Sequence, residues 1–177
     1  MHNSNVLSLK STKVLAFTAL FVGLSVILPL IFHFIPNIEA GKIFLPMEIF
    51  IFAAGLGLGW KSGLIAGILT PLISYSLSGM PKIEILPFMI VELAVYGIIS
   101  GLLYRKLRLN IWLSLPGSML LGRAAIWLAM FFFSANINAG QYVVSAFRAG
   151  IPGIILELAL VPLAVKFVSN YLKDERI

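Results

Sequence analysis

The chain has no cysteine in 177 residues, two histidines, and charged side chains at 11% of positions. Each shortage excludes a class of chemistry. Without cysteine there is neither a disulfide framework nor a thiolate metal site. His33 has no second histidine at ligand spacing, so it reads as an interfacial polar residue rather than a metal ligand. A soluble domain carries about 25% charged residues, so this chain lacks the polar surface to coat a globule. What it has instead is apolar: 60% of residues are hydrophobic and the mean hydropathy is +1.02. These values predict an integral membrane protein.

Nucleotide-phosphate motifs are also missing. The stretch AAGLGLGWKSG, residues 53 to 63, comes nearest. A phosphate loop needs Gly, four residues, then Gly-Lys-Ser/Thr, but Trp60 separates Gly59 from Lys61. The dinucleotide pattern fails as well, because Ser62 stands where its third glycine belongs. The stretch predicts a very tight turn between two membrane helices. Its glycines supply positive φ and close helix packing, and Trp60 suits the interfacial layer.

Six apolar runs are long enough to span a bilayer, which takes about 20 residues each. They cover 14 to 35, 43 to 60, 62 to 79, 84 to 104, 111 to 133 and 145 to 170. The first is too long for the apolar core of a signal peptide and lacks a clean cleavage site, so it is expected to be retained. No soluble domain fits in what remains. The expectation is an all-α membrane protein, one domain over residues 1–177, with six transmembrane helices in a single bundle.

Lysine and arginine set the orientation. With the N-terminus inside, nine of them face the cytoplasm (Lys10, Lys13, Lys61, Arg105, Lys106, Arg108, Lys166, Lys173, Arg176) and two, Lys42 and Lys82, face out. Both termini are therefore expected to be cytoplasmic. The net charge of +6 reads as a topology signal, with no nucleic acid implied. The outer connections, 33 to 46 and 78 to 87, mix Pro, Gly and charge and predict ordered loops able to carry binding groups.

Five ionisable residues fall within or at the edges of spans: Glu48, Glu92, Arg123, Arg148 and Glu157. A charge at mid-bilayer costs at least about 2.5 to 3.5 kcal/mol on insertion scales, so each should face the bundle interior. At 1.5 Å per residue, Arg123 and Glu157 lie about 16 and 14 Å from the inner boundary, Glu92 about 12 Å below the outer one, and Glu48 and Arg148 about one turn inside the outer edge. Arg123 therefore has two candidate partners, Glu157 and Glu92. Such a pair either locks helices together or contacts a ligand. Glu48 reads as a site residue or a solvated carboxylate, Tyr96, one turn from Glu92, as a ligand donor or packing, and Arg148 as a site residue or a snorkelling side chain. In span one, Ala16, Ala19 and Gly23 form a small-residue face for close helix approach, either within the chain or with a partner.

As an enzyme the chain offers no Ser or Cys placed with a His, no paired aspartates and no HExxH, so it is expected to be no enzyme and to need no cofactor or metal. A small autonomous or oligomeric channel or secondary transporter is the alternative, although no inverted repeat is evident. The remaining class is a binding protein that hands its ligand to a motor on other subunits. The chain resembles the substrate-binding S-components of energy-coupling factor (ECF) transporters. The resemblance rests on six spans, AFTALFVG in the first, HFIPNIEAGKIFLPMEI, GLIAGILTPLIS, VELAVYGIISGLLYRK, the GR at 122 to 123, and GIPGIILELALVPL. It implies a multi-pass protein of the prokaryotic plasma membrane that binds a vitamin or precursor near the outer face, under the loop holding Asn37, Glu39 and Lys42. It also implies that Ala16, Ala19 and Gly23 contact a transmembrane coupling subunit served by two ATPases. Asn37, Glu48, Glu92, Tyr96, Arg123, Arg148 and Glu157 are the expected ligand residues. Three carboxylates against two arginines favour a neutral or protonatable ring over a polyanion. Phe32, Phe34, Phe44 and Tyr75 are candidates to stack on a flat heterocycle, so a pyridine- or pyrimidine-type vitamin is expected.

Overall fold

The structure, a computed structural model, describes residues 11–33, 46–133 and 138–173. Those residues form helices and no strand: α1 (Thr12–His33), α2 (Pro46–Leu58), α3 (Trp60–Ser78), α4 (Leu86–Gly101), a π-helical turn (Leu102–Lys106) continuing α4, α5 (Ile111–Phe133) and α6 (Ala139–Lys173). Four stretches are long and apolar enough to cross a membrane: Thr12–Ile31, Leu86–Lys106, Ile111–Phe133 and Gly140–Leu172. Met47–Leu58 is apolar but shorter. In α3, Lys61 and five serine and threonine side chains dilute the apolar character of 19 residues.

The short helix is the central one. α2 packs against α1, α3, α4 and α6, and Ile51, Phe52, Ala53, Ala54 and Leu56 have no exposed surface. A helix covered on every side needs no polar face, which is why its sequence is apolar all round. At 1.5 Å per residue it is about 20 Å long, short of the roughly 30 Å hydrocarbon layer, but its surroundings are protein.

Two local devices fix α2 against its neighbours. Gly59 alone separates it from α3, with φ 116°, and its amide donates to the Gly55 carbonyl at 2.9 Å. A side chain there would be strained, so the tight turn expected at this stretch depends on glycine. From the π turn, Arg105 Nε donates to the Leu56 carbonyl at 2.9 Å and its Nη2 donates to that of Gly57. These bonds satisfy carbonyls that the end of a helix leaves open. α3 and α4 meet backbone to backbone, since a Cβ on Gly63 would stand 2.6 Å from the carbonyl carbon of Gly97. That is the close approach small residues permit in membrane helices.

Helix boundaries follow the expected spans within a few residues, and α5 coincides with 111 to 133. α6 departs from its span, starting six residues before 145. Asn138 is the reason: its Oδ1 accepts from the Gln141 amide at 3.0 Å, an N-cap that starts the helix earlier. Arg148 therefore lies about two and a half turns inside α6, where about one turn was expected.

Candidate functional site

α5 runs between α4 and α6, and it brings Arg123 to the middle of the polar cluster. Arg123 Nη1 lies 2.8 Å from Glu92 Oε1, and Nη2 lies 3.8 Å from Glu48 Oε1. Tyr96, one helical turn beyond Glu92, donates its hydroxyl to the same Glu92 oxygen at 2.9 Å. The tyrosine ring is wholly buried, 4.8 Å from that of Phe52 on α2, and Gly122 sits so close that any Cβ there would overlap the ring. Three helices thus converge on one guanidinium. The Glu92 contact has the length of a charge-assisted hydrogen bond, whereas Glu48 is held by charge attraction without a hydrogen bond.

The alternative pairing of Arg123 with Glu157 does not form. Depth along straight helices puts the two at similar heights, but the guanidinium turns toward α4 and α2 and is engaged there. Glu157 on α6 is fully buried, and neither of its carboxylate oxygens has a hydrogen-bond partner among the described residues.

A cavity of about 390 Å³ opens between α5 and α6. Its polar contributors are Glu48, Tyr96, Arg123, Arg148 and Glu157, and Met119, Val143 and Phe147 are among its apolar walls. Ligand sites commonly occupy about 300 to 1,000 Å³ and combine apolar walls with a few converging polar groups, so the space suits a small organic molecule. Five of the seven expected ligand residues line it, and Glu92 stands behind them, bonded to Arg123 and Tyr96. Asn37 lies outside the described residues, as do Phe34 and Phe44. Tyr75 is half-buried away from the cavity, and Phe147 supplies an aromatic ring there. Val143 fell outside the last expected span, which began at 145, and Phe147 fell inside it as one apolar residue among many, with nothing in the sequence to mark it as a cavity wall. For Val143, Asn138 was the available signal, as a cap residue ahead of a helical run.

A protein-family model described as the ECF transporter, substrate-specific component, matches residues 13–165. The chain belongs to this family. No curated protein and no solved structure matches it. Its membership makes this S-component a membrane-embedded subunit for substrate binding in uptake, with transport rather than catalysis as its role. The same family implies an ECF module as the partner and a small molecule as the substrate.

On the S-component's α1, the small-residue face looks away from the bundle. Ala16 and Ala19 are exposed, and nothing lies within 4 Å of where a Cβ on Gly23 would stand. Val14, Thr18, Phe21, Val22 and Ser25 form the face that packs inward, so the option of internal packing for Ala16, Ala19 and Gly23 is not the one taken.

Proposed function

We propose that this S-component is the high-affinity binding subunit for uptake of a vitamin or vitamin precursor of pyridine or pyrimidine type. It delivers that ligand to a module made of a transmembrane coupling subunit and two ATPase subunits. In this reading all six helices cross the plasma membrane of a prokaryote and both termini are cytoplasmic, in keeping with the nine-to-two distribution of lysine and arginine. α2 crosses although it is short because other helices shield it from lipid.

The observation that carries the proposal is the cavity between α5 and α6, apolar along its walls and supplied with Glu48, Tyr96, Arg123, Arg148 and Glu157. The small face of α1 supports the coupling role, since Ala16, Ala19 and Gly23 leave room for another helix to approach. The purified protein should release a small organic nutrient in native mass spectrometry, and that nutrient should raise its melting temperature. In proteoliposomes the chain alone should neither conduct ions nor accumulate the nutrient. Unaided accumulation would return the channel or secondary-transporter reading.

A further inference from the structure

Two cations mark depth along α6. Arg148 and Lys166 are 18 residues apart, about 27 Å along the helix and close to the roughly 30 Å hydrocarbon layer. Both are exposed, and every exposed residue between them is apolar. Arg148 therefore stands at one headgroup level, the outer one in the orientation proposed above. It has no ion pair or hydrogen bond among the described residues. Inward of it the cavity between α5 and α6 reaches Ile154, about 9 Å deeper. Leu120, 68% exposed, forms the mouth of this cleft with Val144 and Phe147, each about half exposed. At the depth of Leu120, what lies outside the mouth is hydrocarbon and not water.

The mouth thus joins one cation to an apolar slot. Glu157 hides both its carboxylate oxygens and Glu48 is buried beside Arg123, so no carboxylate of the lining competes for Arg148. We propose that this mouth is a phospholipid site: the phosphate of an outer-leaflet glycerophospholipid sits on Arg148, and one acyl chain lies along Leu120, Val144 and Phe147. A guanidinium meets phosphate oxygens through paired N–H donors. The chain is held by close packing, because a bilayer supplies no hydrophobic drive and an unfilled cleft forfeits dispersion contacts. With the lining carboxylates buried, nothing in the cleft receives the ammonium of a zwitterionic headgroup. An anionic headgroup such as phosphatidylglycerol is therefore the one selected. A seated chain closes the cavity against the bilayer on a side that the protein leaves bare. The proposal needs α5 and α6 to cross the membrane, and it does not depend on which nutrient is taken up.

Native mass spectrometry tests the headgroup, on the full chain incubated in detergent with equal amounts of dioleoyl phosphatidylglycerol and dioleoyl phosphatidylcholine. Phosphatidylglycerol should be retained in preference. Arg148→Gln should lower its retention about fivefold, the effect of one basic side chain beside an anionic headgroup. Lys82→Gln, at an exposed lysine outside the cleft, should leave retention unchanged. An equal fall in both variants would mean that diffuse surface charge is read, and it overturns the site. So does equal retention of the two lipids by the unsubstituted protein, and so does displacement by millimolar inorganic phosphate, which would mean that a free anion suffices. Phosphatidylglycerol carrying a diazirine at mid-chain tests the tail in proteoliposomes of the unsubstituted protein, which decides the matter even if Arg148→Gln fails to fold. Its adducts should map to residues around Leu120 on α5 and Ile154 on α6. Adducts spread evenly over the lipid-facing helices, or confined to other helices, overturn the proposal. The uptake reading falls separately, if the chain accumulates its nutrient without an ATPase module.

Discussion

Arg123 on α5 holds Glu92 on α4 at 2.8 Å, and the same guanidinium leaves Glu48 on α2 at 3.8 Å. One cation thus serves two buried carboxylates from two helices, with a hydrogen bond to one and charge attraction to the other. The arrangement joins the central helix to the wall of the cavity. Glu157 receives no hydrogen bond from Arg123.

Removing the cation should cost more than removing either acid. Arg123→Met would leave Glu92 and Glu48 buried without a counter-charge, which typically destabilises by about 3 to 5 kcal/mol. Lower yield and a lower melting temperature in detergent are expected, with partial recovery when Glu92→Gln is added. A variant that melts like wild type would show that the cluster does not hold the helices together. Loss of ligand affinity with unchanged melting would place the arginine on the ligand instead.

Tyr96 offers a graded probe of the same cluster. Tyr96→Phe removes the hydroxyl that reaches Glu92 at 2.9 Å and keeps the ring against Phe52, so a loss of about 1 kcal/mol is expected. Gly122→Ala should cost more, about 1 to 3 kcal/mol, because its methyl group competes with the ring for the same space. Melting curves for the two variants should rank them in that order. The reverse order would mean that the ring has room to move and that hydrogen bonding dominates the position.

The contrast between Arg123 and Asn138 shows what the sequence could and could not disclose. That Glu48, Glu92, Arg123 and Glu157 would turn inward was legible, because hydrocarbon penalises a charge that faces lipid; Arg148, expected inward with them, lines the cavity but stays exposed. Which acid Arg123 meets was not. Rise per residue gives height along a helix but neither its neighbours nor the direction of a side chain, and Glu157 and Glu92 both lay within the range of heights. The ends of α5 were legible because Asn110 and the polar stretch after Phe133 interrupt the apolar run. The start of α6 was not, since small and polar residues after Asn138 resemble a loop until the cap is seen to hold them in a helix. α2 was found by its apolar content, but only packing shows that it is the central helix.

The α3–α4 seam should tolerate no side-chain growth. Gly97→Ala places a methyl group against the backbone of Gly63, so that the two helices must separate. Overpacking of this kind usually costs about 1 to 3 kcal/mol, and more where backbone is the obstacle. A marked fall in melting temperature is expected. Gly23→Ala, with open space around its Cβ, should melt within about 0.5 kcal/mol of wild type. Similar melting of both would contradict the direct backbone contact between α3 and α4.

The exposed face of α1 separates binding from delivery. Ala19→Leu or Gly23→Leu adds bulk where the bundle has no packing to disturb, so fold and ligand affinity should stay near wild type. A coupling helix that approaches closely over small residues would be held off by the same side chain, because such interfaces depend on near contact of backbones. Uptake by cells or proteoliposomes containing the complete module should therefore fall to background, while melting shifts with the co-purified nutrient remain. Loss of binding in these variants would mean that the face serves the chain's own packing. Full uptake would move the docking surface to another helix.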